Sequence, residues 1–263
     1  MTRPKLMGVV NVTPDSFSDG GLYLDPEKAI GHGVDLARAG AAILDVGGES
    51  TRPGSEEVAA EEELRRVLPV IEGLASGGAT ISVDTSKARV AEAALDGGAE
   101  IVNDVTALRG DREMGALCAE RDATVILMHM IGSPRTMQED PRYDDVVDEV
   151  RAFLAGRLEA ALAAGVAEER VWLDPGIGFG KTAEHNLELL RRLSELGELG
   201  RPLVVGTSRK SFIGKVDGSG ASQRLGGTIA SSVLAAAEGA EVLRVHDVAE
   251  VGQALAVATA ILG

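Results

Sequence analysis

The sequence predicts a barrel of eight parallel strands with helical crossovers, organised as a single domain over residues 1–263. Three observations predict it. Short β-branched runs alternate with longer, Ala-rich amphipathic segments. A motif recurs at the junctions from helix to strand, and eight units in 263 residues come to roughly 33 residues each. That order and size are those of the (β/α)8, or TIM, barrel class. An open doubly wound sheet is the alternative, and it would place a ligand at a switch point instead of on a rim.

In chain order, the short runs are Leu6 to Val10, Ala42 to Val46, Thr80 to Val83, Ile101 to Val102, Thr124 to Met128, Val171 to Leu173, Leu203 to Val205 and Val242 to Val245. Helical patterns fill the intervals at Asp25 to Ala39, Ala60 to Ala75, Ser86 to Asp96, Tyr143 to Ala164, Thr182 to Leu196, Ser222 to Glu238 and Asp247 to Ile261. The connection at Asp111 to Glu120 is shorter and less regular. Asp25-Pro26 offers an N-cap followed by proline at the first helical position. Asp247 and Glu250 have capping-box spacing, with Asp in place of Ser or Thr. The junction motif reads Ala39 to Leu44, Gly97 to Val102 and Glu238 to Leu243, each with a Gly suited to ending a helix before a strand begins.

Hydrophobic residues make up 44% of the chain and aromatics only 3%, so the core is built from Ala, Val, Leu and Ile. A formal net charge of -15 argues against nucleic acid and against an anionic membrane surface as partners. The single Cys118 excludes an internal disulfide, and its apolar helical setting reads as a buried structural thiol. The apolar run ending at Asn11 is too short for a signal sequence, and no stretch approaches the length of a membrane span, so the expected location is cytoplasmic.

Polar residues follow every strand. They are Asn11 to Gly21, Gly47 to Gly54, Asp84-Thr85, Asn103-Asp104, Met128-His129, Asp174 to Phe179, Gly206 to Ser211, and Arg244 with His246. Each has a plain structural explanation: Asp84 or Asn103 could cap a helix, Asp174-Pro175-Gly176 could be a turn, and Arg209-Lys210 could be solvated charges. In a barrel, however, all of them converge on one rim. His32 and His185 lie within helical patterns and read as structural or exposed. Two motifs fail: Pro175 stands where Gly180-Lys181-Thr182 would need the earlier Gly of a P-loop, and Gly176 to Gly180 lacks the spacing of a dinucleotide fingerprint. No Cys or His cluster suggests zinc.

The rim's chemistry is mixed. Asp84, Asn103 and Asp174 offer acceptors and an amide, suited to the donor-rich edge of a neutral heterocycle. Arg52, Lys210, Arg244 and His246 offer cationic or donor groups, suited to an anionic leaving group. The substrate this implies has a polar ring at one end and a phosphate at the other.

At these motifs the sequence resembles the dihydropteroate synthase family. The matching segments are Met7 to Gly21, Asp45 to Gly54, Ser82 to Thr85, Val102 to Val105, Leu127 to Met130, Leu173 to Phe179, Ser208 to Gly214 and Arg244 to Val248. They run in family order across almost the whole chain. The resemblance implies that 6-hydroxymethyl-7,8-dihydropterin diphosphate is joined to 4-aminobenzoate, with release of diphosphate, in folate biosynthesis. It implies a pterin site of Asp84, Asn103, Met128, Asp174, Gly206, Lys210 and Arg244. Diphosphate would meet Asn11, Thr51, Arg52, Arg244 and His246, with Asn11 also a ligand of a Mg2+ cofactor. Aminobenzoate would meet Phe17, Thr51, Pro53, Phe179, Lys210 and Ser211. The implied catalytic set is Asp84, Lys210, Arg244, His246, Arg52 and Asp19, acting in a dissociative substitution, and the implied assembly is a homodimer. A pterin-binding methyltransferase barrel and a non-catalytic pterin-binding paralogue share the polar edge, but need no diphosphate site.

Overall fold

The computed structural model describes residues 3–13, 25–51, 54–55 and 57–263. Its strands are β1 (Lys5–Asn11), β2 (Ile43–Gly47), β3 (Thr80–Asp84), β4 (Ile101–Asp104), β5 (Thr124–Met128), β6 (Val171–Asp174), β7 (Val204–Val205) and β8 (Val242–Val245). Every pairing is parallel, in the order β6-β5-β4-β3-β2-β1-β8-β7. The two ends of that order meet through a single bridge, Leu173 to Leu203, and the Leu173 N–H donates to Pro202 O at 2.9 Å. The result is a nearly closed barrel, as the alternation in the sequence predicts, and not an open sheet.

The crossovers are α1 (Pro26–Arg38), α2 (Ala60–Leu74), α3 (Ala88–Asp96), α4 (Met114–Glu120), α5 (Val146–Ala163), α6 (Ala183–Arg191), α7 (Leu193–Gly197), α8 (Ser211–Asp217), α9 (Leu225–Ala237) and α10 (Val248–Leu262). Asp25 caps α1 as expected, accepting from Glu27 N–H at 3.0 Å. The repeated junction is one physical device used three times. Gly40, Gly98 and Gly239 sit at φ of 106°, 107° and 100°. In each case the next residue donates back across the turn: Ala41 to Leu36 O, Ala99 to Ala94 O and Ala240 to Ala235 O, at 3.0, 2.9 and 2.9 Å. That six-to-one bond with glycine in the left-handed region satisfies the last carbonyls and turns the chain into the next strand.

Three expectations change. Asp247 makes no side-chain cap on α10, because its carboxylate is held by Arg209, with Nη2 to Oδ1 at 2.5 Å and Nε to Oδ2 at 3.0 Å. The helix expected from Thr182 to Leu196 breaks at Arg192, where ψ is 25°, and its guanidinium bonds Glu195 and Asp145 instead. The segment after Lys210 forms a short helix, α8, which the strand-end motif concealed. Cys118 is fully buried, and burial pushes its thiol up to about 12, which fits a structural role.

Side-chain alternation builds the interior. Met7, Ile43, Ile101, Ile126, Val204 and Val242 pack together, with Trp172 against them, as an apolar layer separate from the larger core between strands and helices. Two residues further along the same strands come Asp45, Asn103, Met128, Asp174, Gly206 and Arg244. Because side chains repeat every second residue, this second set stands on the same interior face, one step closer to the strand ends. An apolar plug thus carries a polar layer directly above it.

Candidate active site

A cavity of about 400 Å³ opens above that polar layer. It brings together the sequence-predicted residues that are described. Asn11, Thr51 and His246 line it with Asp84, Asn103, Asp174, Lys210 and Arg244, and Met128, Phe179, Gly206 and Ser211 complete those parts of the wall. Phe17, Asp19, Arg52 and Pro53 lie outside the described residues.

Register sets the floor. Asp84 is paired with Asn103 and also with Gly47, and Asp174 is paired with Met128. Neither Asp84 nor Asn103 caps a helix. Arg244 reaches across the barrel, its Nε donating to Asp45 Oδ2 at 2.6 Å and its Nη2 to Asp84 Oδ2 at 2.9 Å. Asn103 Nδ2 donates to the same Asp45 oxygen at 3.1 Å. Asp45 is wholly buried, and its other oxygen has no partner among the described residues. The sequence reading missed this residue. It sits inside a β2 run bounded by Leu44 and Val46, and only its two-residue phase from Ile43 marks it as interior.

These groups bias each other's charge. Burial raises Asp84 far above the usual carboxylate range, against the pull of Arg244, and the neighbouring Asp45 adds to the rise. Burial also raises Asp174, with Lys210 and a bond from Gly176 N–H opposing it. Lys210 is lowered to about 8 by burial, with Asp174 resisting. Arg244 is raised by Asp45 and Asp84 even though burial works the other way, so it stays a cation. The site therefore holds a fixed positive centre beside carboxyls that burial makes reluctant to ionise.

On the flank, Ser208 Oγ lies 2.9 Å from His246 Nδ1 and accepts from the His246 backbone N–H at 3.2 Å, which fixes the imidazole on the wall. Arg209, at φ 56°, is not a solvated charge, since it is paired with Asp247. The root of the β2 loop that carries Thr51 is pinned as well. Lys87 pairs with Glu49 and with the buried Glu63, the latter at 2.7 Å, and Arg66 Nη1 donates to Gly48 O at 2.8 Å.

Asp174 opens a glycine-rich turn. Its Oδ1 accepts from Gly176 N–H at 2.6 Å, so the turn chemistry and the site are one feature. Gly176, Gly178 and Gly180 all take positive φ, of 65°, 83° and 61°. A Cβ on Gly176 would lie 1.9 Å from His129 O, which leaves room for no other residue. These glycines shape the wall under Phe179 instead of cradling a dinucleotide.

Among the described residues, no group of three His, Cys, Asp or Glu side chains could hold a metal. Asn11, a neutral oxygen donor, stands on the cavity wall, where it could hold a cation together with oxygens brought by a ligand. Such sparse protein coordination suits Mg2+, which keeps waters and substrate phosphates as ligands. Among the described residues, no helix is long and apolar enough to cross a membrane.

Comparison with known proteins agrees with this geometry. The model of the family "Pterin binding enzyme" matches residues 7–246. The dihydropteroate synthase of Escherichia coli (strain K12) is 49% identical over 265 residues, covering 100% of this chain and 93% of that protein. The crystal structure of the Yersinia pestis dihydropteroate synthase with a sulfonamide drug superimposes with a TM-score of 0.96 at 44% identity, covering 99% of this chain and 94% of that one. The Xanthomonas albilineans enzyme in complex with 7,8-dihydropteroate gives 0.89 at 46% identity, covering 100% and 96%. On the fold, the site and these relatives together, the chain belongs to the dihydropteroate synthase family, transferases among the pterin-binding enzymes.

Proposed function

We propose that this protein joins 6-hydroxymethyl-7,8-dihydropterin diphosphate to 4-aminobenzoate, forming 7,8-dihydropteroate and diphosphate for folate biosynthesis. The observation that carries the reading is a single cavity whose floor offers Asp84, Asn103 and Asp174 while Arg244, Lys210 and His246 face the same space. The product named for the Xanthomonas relative is the one this reaction would make.

In this reading, Asp174 and Asn103 accept and donate along the pterin edge, while Met128 and Gly206 shape the space around its ring. Arg244 and His246 take the diphosphate, with Asn11 and Thr51 beside it. The bond between the exocyclic methylene carbon and the diphosphate oxygen breaks first, and its electrons leave with the diphosphate. A Mg2+ ion held by Asn11 and the diphosphate would supply further charge neutralisation to the leaving group. Asp84 then faces the cation left on the pterin, and its ionised form stabilises that charge. The arylamine nitrogen of aminobenzoate, held against Phe179, Lys210 and Ser211, forms the new C–N bond with its lone pair and gives up a proton to solvent water. An arylamine is already neutral near pH 7, so this chemistry asks for no strong general base.

Two further assignments belong to the same reading. Between Leu225 and Ala237, and again between Val251 and Leu262, the chain carries no charged residue, although 25% of it is charged. Leu234, Val257 and Ile261 are exposed on these adjacent helices α9 and α10, which supports a homodimer formed through that face. The buried lone thiol accords with a cytoplasmic location. The decisive experiment is diphosphate release with purified protein: it should require both the pterin substrate and 4-aminobenzoate. Release from the pterin substrate alone, or none at all, would overturn the assignment. Sedimentation showing only monomer at micromolar concentration would overturn the dimer.

A further inference from the structure

Five consecutive carbonyls, from Gly176 to Gly180, each accept from a side chain. Lys181 Nζ donates to Gly176 O and to Phe179 O, both at 2.9 Å. Lys210 Nζ donates to Ile177 O, Gln138 Nε2 to Gly178 O at 2.8 Å, and Tyr143 Oη to Gly180 O at 2.7 Å. Such a turn is shaped from outside, because three of its residues are left-handed glycines with little conformational preference of their own.

Lys181 is the centre of this arrangement. It is 3% exposed, and among the described residues it forms no ion pair. Its third short contact is His129 Nδ1, at 2.9 Å. Burial pushes the Lys181 amine well below its usual range, with Asp174 opposing; as an ammonium it has three N–H donors, and here each has an acceptor. That requires His129 to present a lone pair, and burial with the nearby Lys181 and Arg109 charges holds its imidazole down to about 2. The ring is fixed edge-on against Phe153, with centroids 4.8 Å apart.

We propose that Lys181, seated on neutral His129, is a positioning residue that sets the aminobenzoate site without touching the ligand. It does so by fixing the Gly176–Gly180 turn. That turn carries Phe179, whose ring lies 4.8 Å beneath Lys210 Nζ, and it carries the Ile177 carbonyl that Lys210 bonds. Phe179 also packs with Met128, Met130 and Met137, so a shift of the turn moves ring and ammonium together. The inference rests on the reading of Phe179, Lys210 and Ser211 as the aminobenzoate wall.

The test is steady-state kinetics on the full chain, with pterin affinity measured separately by calorimetry. Lys181→Met removes all three donors while keeping the apolar stem. The KM for 4-aminobenzoate should rise about tenfold or more, while pterin affinity, which shares Lys210 with that wall, should fall by a clearly smaller factor and kcat should stay within about threefold of the parent. A folded Lys181→Met protein whose aminobenzoate KM stays within about twofold, or whose pterin affinity falls in parallel, would overturn the proposal. Should Lys181→Met fail to fold, Tyr143→Phe decides. It deletes only the bond to Gly180 O and should raise the same KM about threefold, and an unchanged KM would overturn the proposal. A parent protein with no aminobenzoate-dependent diphosphate release sinks the function itself. An active parent with unaffected variants sinks only the role of Lys181.

Discussion

Replacing Asp174 with Asn changes the charge of one buried group and little of its shape. In the parent, one carboxylate oxygen accepts from Gly176 N–H at 2.6 Å, leaving the other for a ligand. Asn can keep an oxygen on Gly176, so the turn survives. The second position then becomes an NH2 group and meets the donor edge of a pterin with another donor. Losing a charge-assisted bond costs about 1.5–3 kcal/mol, and leaving the opposed donors unpaired costs about 1–3 more. Together that is about 2.5–6 kcal/mol, or roughly seventyfold to twenty-thousandfold in Kd. Stability should move much less, because burial already disfavours the ionised carboxyl while Lys210 and Arg244 favour it. Calorimetric titration with 6-hydroxymethyl-7,8-dihydropterin, alongside a thermal melt, measures both. A folded variant that binds the pterin within about threefold of the parent would refute Asp174 as the edge-reading acceptor.

Arg244→Ala leaves the buried Asp45 and Asp84 carboxyls without their shared cation, so it should destabilise the fold by about 3–5 kcal/mol as well as suppress turnover; an unchanged denaturant midpoint would contradict that pairing. His129 is buried neutral, lowered from 6.5 to about 2, so the folded state binds fewer protons there than the unfolded state between those values. Its contribution to stability is complete above pH 6.5 and falls with acidification, by about 1.4 kcal/mol per pH unit well inside that window. His129→Gln should remove that slope from the variant's own stability curve, so the difference between variant and parent should change with pH, and parallel curves from pH 4 to 6.5 would count against it. Gly176→Ala forces a Cβ into His129 O at left-handed φ and should lower stability by more than about 2 kcal/mol; a parent-like melt would mean the turn can rearrange.

Most of the architecture was legible because it rests on short-range rules. β-branched runs name the strands, and Gly40, Gly98 and Gly239 name the exits from three helices. The polar rim was legible for the same reason, since Asn11, Asp84, Asn103 and Asp174 interrupt apolar runs at their ends. What was hidden depends on partners far away in the chain. Asp45 looks like strand interior until Arg244 arrives from β8, 199 residues later. Lys181 reads as a broken phosphate loop until His129 is placed beneath it. Asp247 has the spacing of a cap, and only the folded chain brings Arg209 to claim its carboxylate. Pattern reports the local backbone; it does not report which buried charge has found which partner.

The single bridge between β6 and β7 gives the barrel a seam. Asp174 ends β6 on one side, and Lys210 follows β7 on the other. A ligand that grips both works as a clasp across the weakest join in the sheet. Its binding energy then holds the cylinder shut as well as the ligand in place. Backbone amides of Val204 and Val205 should exchange more slowly once the site is filled, while those in β2 and β3, zipped along their length, should hardly change. The substrate, on this view, is the last staple of the wall that contains it.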